Sequence, residues 1–109
     1  MDRRTGTERR TAKRYKTTLD IEWQDHSGRH SGTISDLSEI GCFVLTGGKV
    51  EDGEIVSLFL PSGNGAKLQF LGEVSNHAFE IGYAVRFVDP SPAHKKFLSD
   101  LLAPLEEAE

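Results

Sequence analysis

The stretch IGYAVRFVDPSPAHKKFLSDLL, residues 81–102, decides the fold, because two periods meet in it. Ile81, Tyr83, Val85 and Phe87 recur at every second residue, as in a strand with one face in a core. Arg86 is out of phase with them and belongs on the solvent side or at the rim of a site. Then Asp89-Pro90-Ser91-Pro92 reads as a helix start, with Ser91 as N-cap and Pro92 in the first turn. Phe97, Leu98, Leu101, Leu102 and Leu105 follow at helical spacing, so a helix is predicted over about 92–103, before a frayed acidic end at Glu106–Glu109.

Upstream of residue 81 the period of two dominates. Leu68, Phe70 and Val74 share one strand parity, with Asn76–Phe79 as the turn into the last strand. Ser62-Gly63-Asn64-Gly65 is a strong turn signal, and Ile55–Leu60 is a buried strand stopped by Pro61. Gly47-Gly48 and Glu51-Asp52-Gly53 mark a loop after a short strand at Cys42–Leu45. A further strand covers about Arg29–Leu37, behind a turn at Asp25-His26-Ser27-Gly28. Leu19, Ile21 and Trp23 alternate with Asp20, Glu22 and Gln24 in the first strand, which places Trp23 in the core. Six short strands and one amphipathic helix indicate a mainly β domain, a small antiparallel barrel or sandwich. The helix would cover an open edge or end of it.

Residues 1–16 are different. They carry seven cations, two anions and almost no apolar side chains, whereas residues 17–109 carry six cations and fifteen anions. Residues 1–16 are therefore expected to form a flexible basic arm and residues 17–109 a single domain. A charge confined to an arm suits a small anion, a phosphate group or an acidic partner surface better than a long nucleic acid, which wants a broad basic face. A lone cysteine, Cys42, allows no internal disulfide, and no run approaches the roughly 20 apolar residues of a membrane helix. No apolar run follows the basic N-terminus, as a secretory signal requires. A soluble cytoplasmic protein is expected, without membrane contact.

Two short motifs carry chemistry. DLSEIG, residues 36–41, sets Asp36, Ser38 and Gly41 at a strand end and the turn after it. On an extended strand Asp36 and Ser38 would face one side; in an ordinary β-turn they would instead bond nearby amides. Arg10 and Arg14 form Arg-x-x-x-Arg, with Arg9 just before. Guanidinium is planar, permanently charged, bidentate toward phosphate and able to stack on flat rings.

Together, Arg10-x-x-x-Arg14, Asp36-x-Ser38-x-x-Gly41 and the strand Gly82-Tyr83-Ala84-Val85-Arg86-Phe87 resemble the PilZ domain family, the bacterial receptor module for cyclic di-GMP, over roughly residues 9–103. The resemblance implies a six-stranded antiparallel β-barrel closed before a C-terminal helix, a stand-alone member, and a non-catalytic receptor. It implies cyclic di-GMP as ligand and no cofactor. Arg10 and Arg14 would contact phosphate, guanine edge and ring; Asp36 would accept from guanine N1–H and N2–H₂; Ser38 would reach a base amine or phosphate; Gly41 would leave room for the ring. Members bind one ligand or an intercalated pair, and Arg9 favours the pair. The ligand would order the arm, and an unidentified effector protein would read the result. The competing expectations are a barrel whose basic arm binds an acidic partner without nucleotide, and a binder of RNA or single-stranded DNA, which the acidic body disfavours. His26, His30, His77 and His94 are scattered without metal-ligand spacing, Cys42 reads as a small core residue, and nothing resembles an acid–base pair with a nucleophile.

Overall fold

A computed structural model describes residues 13–107, except Asn64. The chain runs β1 (Tyr15–Asp25), β2 (Gly28–Leu37), β3 (Gly41–Leu45), β4 (Ile55–Pro61), β5 (Lys67–Ala78), β6 (Gly82–Phe87) and α1 (Pro92–Glu107). All neighbours pair antiparallel, in the order β1-β2-β3-β6-β5-β4, and β4 returns to β1 to close the barrel. Closure leaves no sheet edge for the helix to cover.

Alternation fills the interior. Ile21 and Trp23 from β1, Ile34 from β2, Val44 from β3, Val56, Leu58 and Leu60 from β4, Phe70 and Val74 from β5 and Tyr83 from β6 are all buried. Trp23 meets Tyr83 edge-on at 5.1 Å and stacks on His30 at 4.3 Å, and its indole N–H donates to Thr46 Oγ1 at 3.2 Å. Gly82 has a steric purpose. A Cβ there would strike the Val44 carbonyl oxygen of the paired strand.

α1 lies against β1 and puts Leu98 and Leu102 into the core, with Phe97, Leu101 and Leu105 packed beside them. Phe97 meets Phe70 at 5.9 Å between ring centroids. Ser91 is the N-cap: its Oγ accepts from His94 N at 3.2 Å and its hydroxyl meets His94 Nδ1 at 2.7 Å. The Ser91 amide also donates to that nitrogen at 3.0 Å, which leaves Nε2 to donate to the Gln69 carbonyl at 2.7 Å.

Four boundaries differ from the sequence reading. β1 starts at Tyr15, so Tyr15 and Lys16 belong to the barrel and not to the arm. β5 continues to Ala78, through the residues expected to turn. The reason is a bulge: Val74 pairs Val85 and Asn76 pairs Ala84, with Ser75 as the extra residue. The turn falls at Phe79–Ile81, with Glu80 at φ 61° and Ile81 N donating to Ala78 O at 3.0 Å. Ile81 is therefore exposed, out of line with Tyr83, Val85 and Phe87. Finally, α1 runs past Pro104 to Glu107. Proline removes one helical bond, but Leu105 packing on the core holds the last turn.

Leu98→Ala should cost about 2–5 kcal/mol by leaving a cavity under the helix. Ser91→Ala should cost about 1 kcal/mol through the lost cap. Urea unfolding of the two variants checks both, with the larger midpoint shift in Leu98→Ala.

Candidate functional site

The described motif residues, Arg14, Asp36, Ser38 and Gly41, lie at the end of the barrel where β1 begins. Tyr15 pairs Leu37 and Lys16 pairs Asp36, so the register of β1 on β2 delivers exposed Arg14 beside the turn between β2 and β3. A cleft of about 250 Å³ opens there, lined by Arg14, Ser38, Gly41, Ser75 and Arg86 among others. A second cleft of about 540 Å³ adjoins it across Ile40 and Arg86 and reaches α1 at Lys95 and Leu98. Arg86 thus sits at the rim of both, as its out-of-phase position predicts.

Ser38 does not share an open face with Asp36. Pairing ends at Leu37, and Ser38 folds inward to 3% exposure. Its hydroxyl donates to Gly41 O at 3.3 Å and accepts from Ile40 N at 3.1 Å and Gly41 N at 3.2 Å. Ser38 N also donates to Gly41 O at 2.9 Å. Serine therefore builds the turn, the more ordinary of the two readings. Gly41 is likewise required by the scaffold: a Cβ would land on the Val85 carbonyl oxygen. Asp36 stays half-buried in β2, opposite Phe43 of β3, and is not among the residues lining the 250 Å³ cleft. Arg9 and Arg10 lie outside the described residues.

Bulges shape this face. Thr17 and Thr18 of β1 oppose one residue of β2, Ser35 is extra against β3, and Ser75 is extra against β6. Each re-aims the side chains beside it. Ser75 and Ile40 escaped the sequence reading. Ile40 carried a signal, an isoleucine between Glu39 and Gly41 in a polar turn, and it is 56% exposed between the clefts. Cys42 lines the smaller cleft but is buried, and burial pushes its thiol well above the usual range, with the Asp36 charge adding to the effect. It is no nucleophile at neutral pH.

Residues 8–103 match the sequence profile of the PilZ domain. The chain belongs to the PilZ domain family. No curated protein matches this PilZ domain. Solved structures do. The PilZ domain of YcgR from Escherichia coli, solved with c-di-GMP, superimposes with a TM-score of 0.76 at 16% identity, over 93% of this chain and 94% of that one. The PilZ domain of CeSA from a cellulose-synthesizing bacterium gives 0.67 at 19%, over 86% and 98%. The Bacillus subtilis inhibitor of motility MotI/DgrA gives 0.75 at 15%, over 94% of this chain and 53% of that one. At these identities the likeness is one of fold: a closed six-stranded antiparallel barrel with one C-terminal helix.

The site geometry separates scaffold from contact residues. Gly41→Ala and Ser38→Ala should lower the melting temperature without any ligand, the first by breaking β3–β6 pairing and the second by about 1–3 kcal/mol from unsatisfied turn amides. Arg86→Ala should leave it unchanged, since among the described residues the Arg86 side chain makes no hydrogen bond or ion pair, and its strand pairing with Gly41 and Glu73 is by backbone. Thermal unfolding of the three variants checks this.

Proposed function

We propose that this PilZ domain binds cyclic di-GMP at the cleft where Arg14 meets the 38–41 turn, and acts as a receptor that presents the bound state to an effector protein. The observation that carries the reading is the placement of Arg14 against that turn by the β1–β2 register, in a chain of this family. PilZ proteins of the same fold, YcgR from E. coli and MrkH from K. pneumonia, were solved with c-di-GMP, which supports the ligand class.

The chemistry follows from the residues. Cyclic di-GMP presents two phosphates and two guanines. Arg14 at the cleft mouth supplies a planar, bidentate cation to phosphate or to guanine O6 and N7. Arg10 precedes it by four residues, and four residues span at most about 14 Å. Arg10 can therefore reach the far side of a ligand that Arg14 touches. Asp36 accepts from guanine N1–H and N2–H₂. Ser38 and Gly41 act by holding the turn in shape beside it. Arg9 adds a third planar cation and serves a second, intercalated ligand through stacking. The ligand draws residues 9–14 onto the barrel face. The composite of arm, ligand and exposed Ile40 is then the surface an effector reads.

Calorimetric titration with cyclic di-GMP tests this. Wild type should bind at micromolar protein with two ligands per chain. Arg10→Ala, Arg14→Ala and Asp36→Ala should each weaken binding about 10- to 100-fold, the size of a lost hydrogen bond to a charged group. Absence of heat would overturn the receptor reading. Equal binding by all three variants would overturn the site, and a stoichiometry near one would overturn the pair.

A further inference from the structure

At the other end of β1 the chain places two carboxylates where water is scarce. Asp25 shares strand parity with Ile21 and Trp23, and its side chain is 2% exposed. Glu54, just before β4, is 16% exposed, and its Oε2 is buried without a hydrogen bond. Donor atoms of Asp25, His26 and Glu54 all lie within 4.8 Å of one another. The Tyr83 hydroxyl is also fully buried without a partner, and burial first, then the Cys42, Asp25 and Glu54 charges, push it above the usual range.

Like charges withdrawn from water at one spot are costly unless a cation answers them. Among the described residues, the ion-pair partners of these two carboxylates are histidines. His26 Nδ1 stands 3.4 Å from Glu54 Oε2 without the alignment of a hydrogen bond, and His30 Nε2 is 3.1 Å from Asp25 Oδ1. Histidine, unlike lysine or arginine, carries no permanent charge. The surroundings already resemble the outer shell of a metal site. Asp25 Oδ1 accepts from Ser27 N at 2.9 Å, Ser27 Oγ at 2.7 Å and His30 Nε2, and His30 is held by its stack on Trp23. Such bonds orient a ligating carboxylate and leave its second oxygen for the ion. One imidazole and two carboxylates form an N/O set suited to a divalent transition metal such as Zn²⁺.

We propose that Asp25, His26 and Glu54 bind Zn²⁺. The ion neutralises the carboxylate pair and gives Glu54 Oε2 its missing partner. It also ties the β1–β2 turn to the segment before β4, so it staples the barrel end remote from Arg14. This site is independent of the cyclic di-GMP reading.

The test uses the full chain, freed of metal by chelation, in a non-coordinating buffer. Zn²⁺ should bind once per chain by calorimetry and raise the melting temperature by several degrees, while Ca²⁺ and Mg²⁺ at equal concentration should not. Glu54→Gln and His26→Ala should each weaken Zn²⁺ binding at least tenfold. His26 is 85% exposed, so its variant keeps the fold and remains interpretable. His77→Ala, which removes the separate exposed His77–Asp52 pair, should bind as wild type. No Zn²⁺ binding, equal binding by wild type and His26→Ala, loss of binding in His77→Ala, or a response to Ca²⁺ alone would overturn the proposal.

Discussion

The structure turns on how closely β3 can pass β6. β3 has only five residues, and its ladder with β6 runs from Gly41 opposite Arg86 to Leu45 opposite Gly82. A glycine stands at each end of that ladder, on opposite strands. Each lacks a Cβ at the point where one would meet the facing carbonyl oxygen, of Val85 for Gly41 and of Val44 for Gly82. With side chains there, the strands would separate, the barrel would open, and β2 and β5 would lose their bridge. The same contact fixes the site, because Gly41 closes the Ser38 turn and Arg86, its cross-strand partner, forms the cleft rim. Barrel closure and the shape of the cleft are thus one constraint.

Much of this is written in alternation, and the exceptions share a cause. Trp23, Leu58, Phe70, Tyr83 and Leu98 fall inside as their spacing predicts, since burial of large apolar groups dominates the energetics. Ile81 and the β5–β6 turn do not, because a bulge at Ser75 adds a residue to β5 and moves the turn. A bulge leaves little trace in sequence, since the extra residue can be any polar type and the phase simply shifts. Asp36 and Ser38 miss a shared face for a related reason: the strand ends between them, and hydrogen bonds to Ile40 and Gly41 recruit Ser38. Asp25 is the reverse case. Its parity with Ile21 and Trp23 was visible, but Asp25-His26-Ser27-Gly28 reads simply as a turn until Glu54 arrives beside it from another part of the chain.

Charge is arranged along the molecule accordingly. β1 spans the barrel, roughly 33 Å for its ten steps, with Arg14 at one end and Asp25 at the other. Cations gather at the first end, where Arg14, Arg86 and Lys95 border adjoining clefts. Anions are buried at the second, where Asp25 and Glu54 approach. Net charge does not describe the Arg14 end, however, since Glu39 lines the larger cleft and Glu73 stands across from Arg86 among these cations.

That separation decides how the two ends behave together. Ligands that bind only the folded state stabilise it by mass action, whatever their distance from one another. If cyclic di-GMP binds at the Arg14 end and a cation at the Asp25 end, both would raise the same melting temperature, and a shift with either alone would identify no coupling. Sites far apart with no shared partners contribute additively. Between the two ends lie the β1 ladder and the Trp23–Tyr83 packing. Any coupling between the two ends would have to be carried by those contacts.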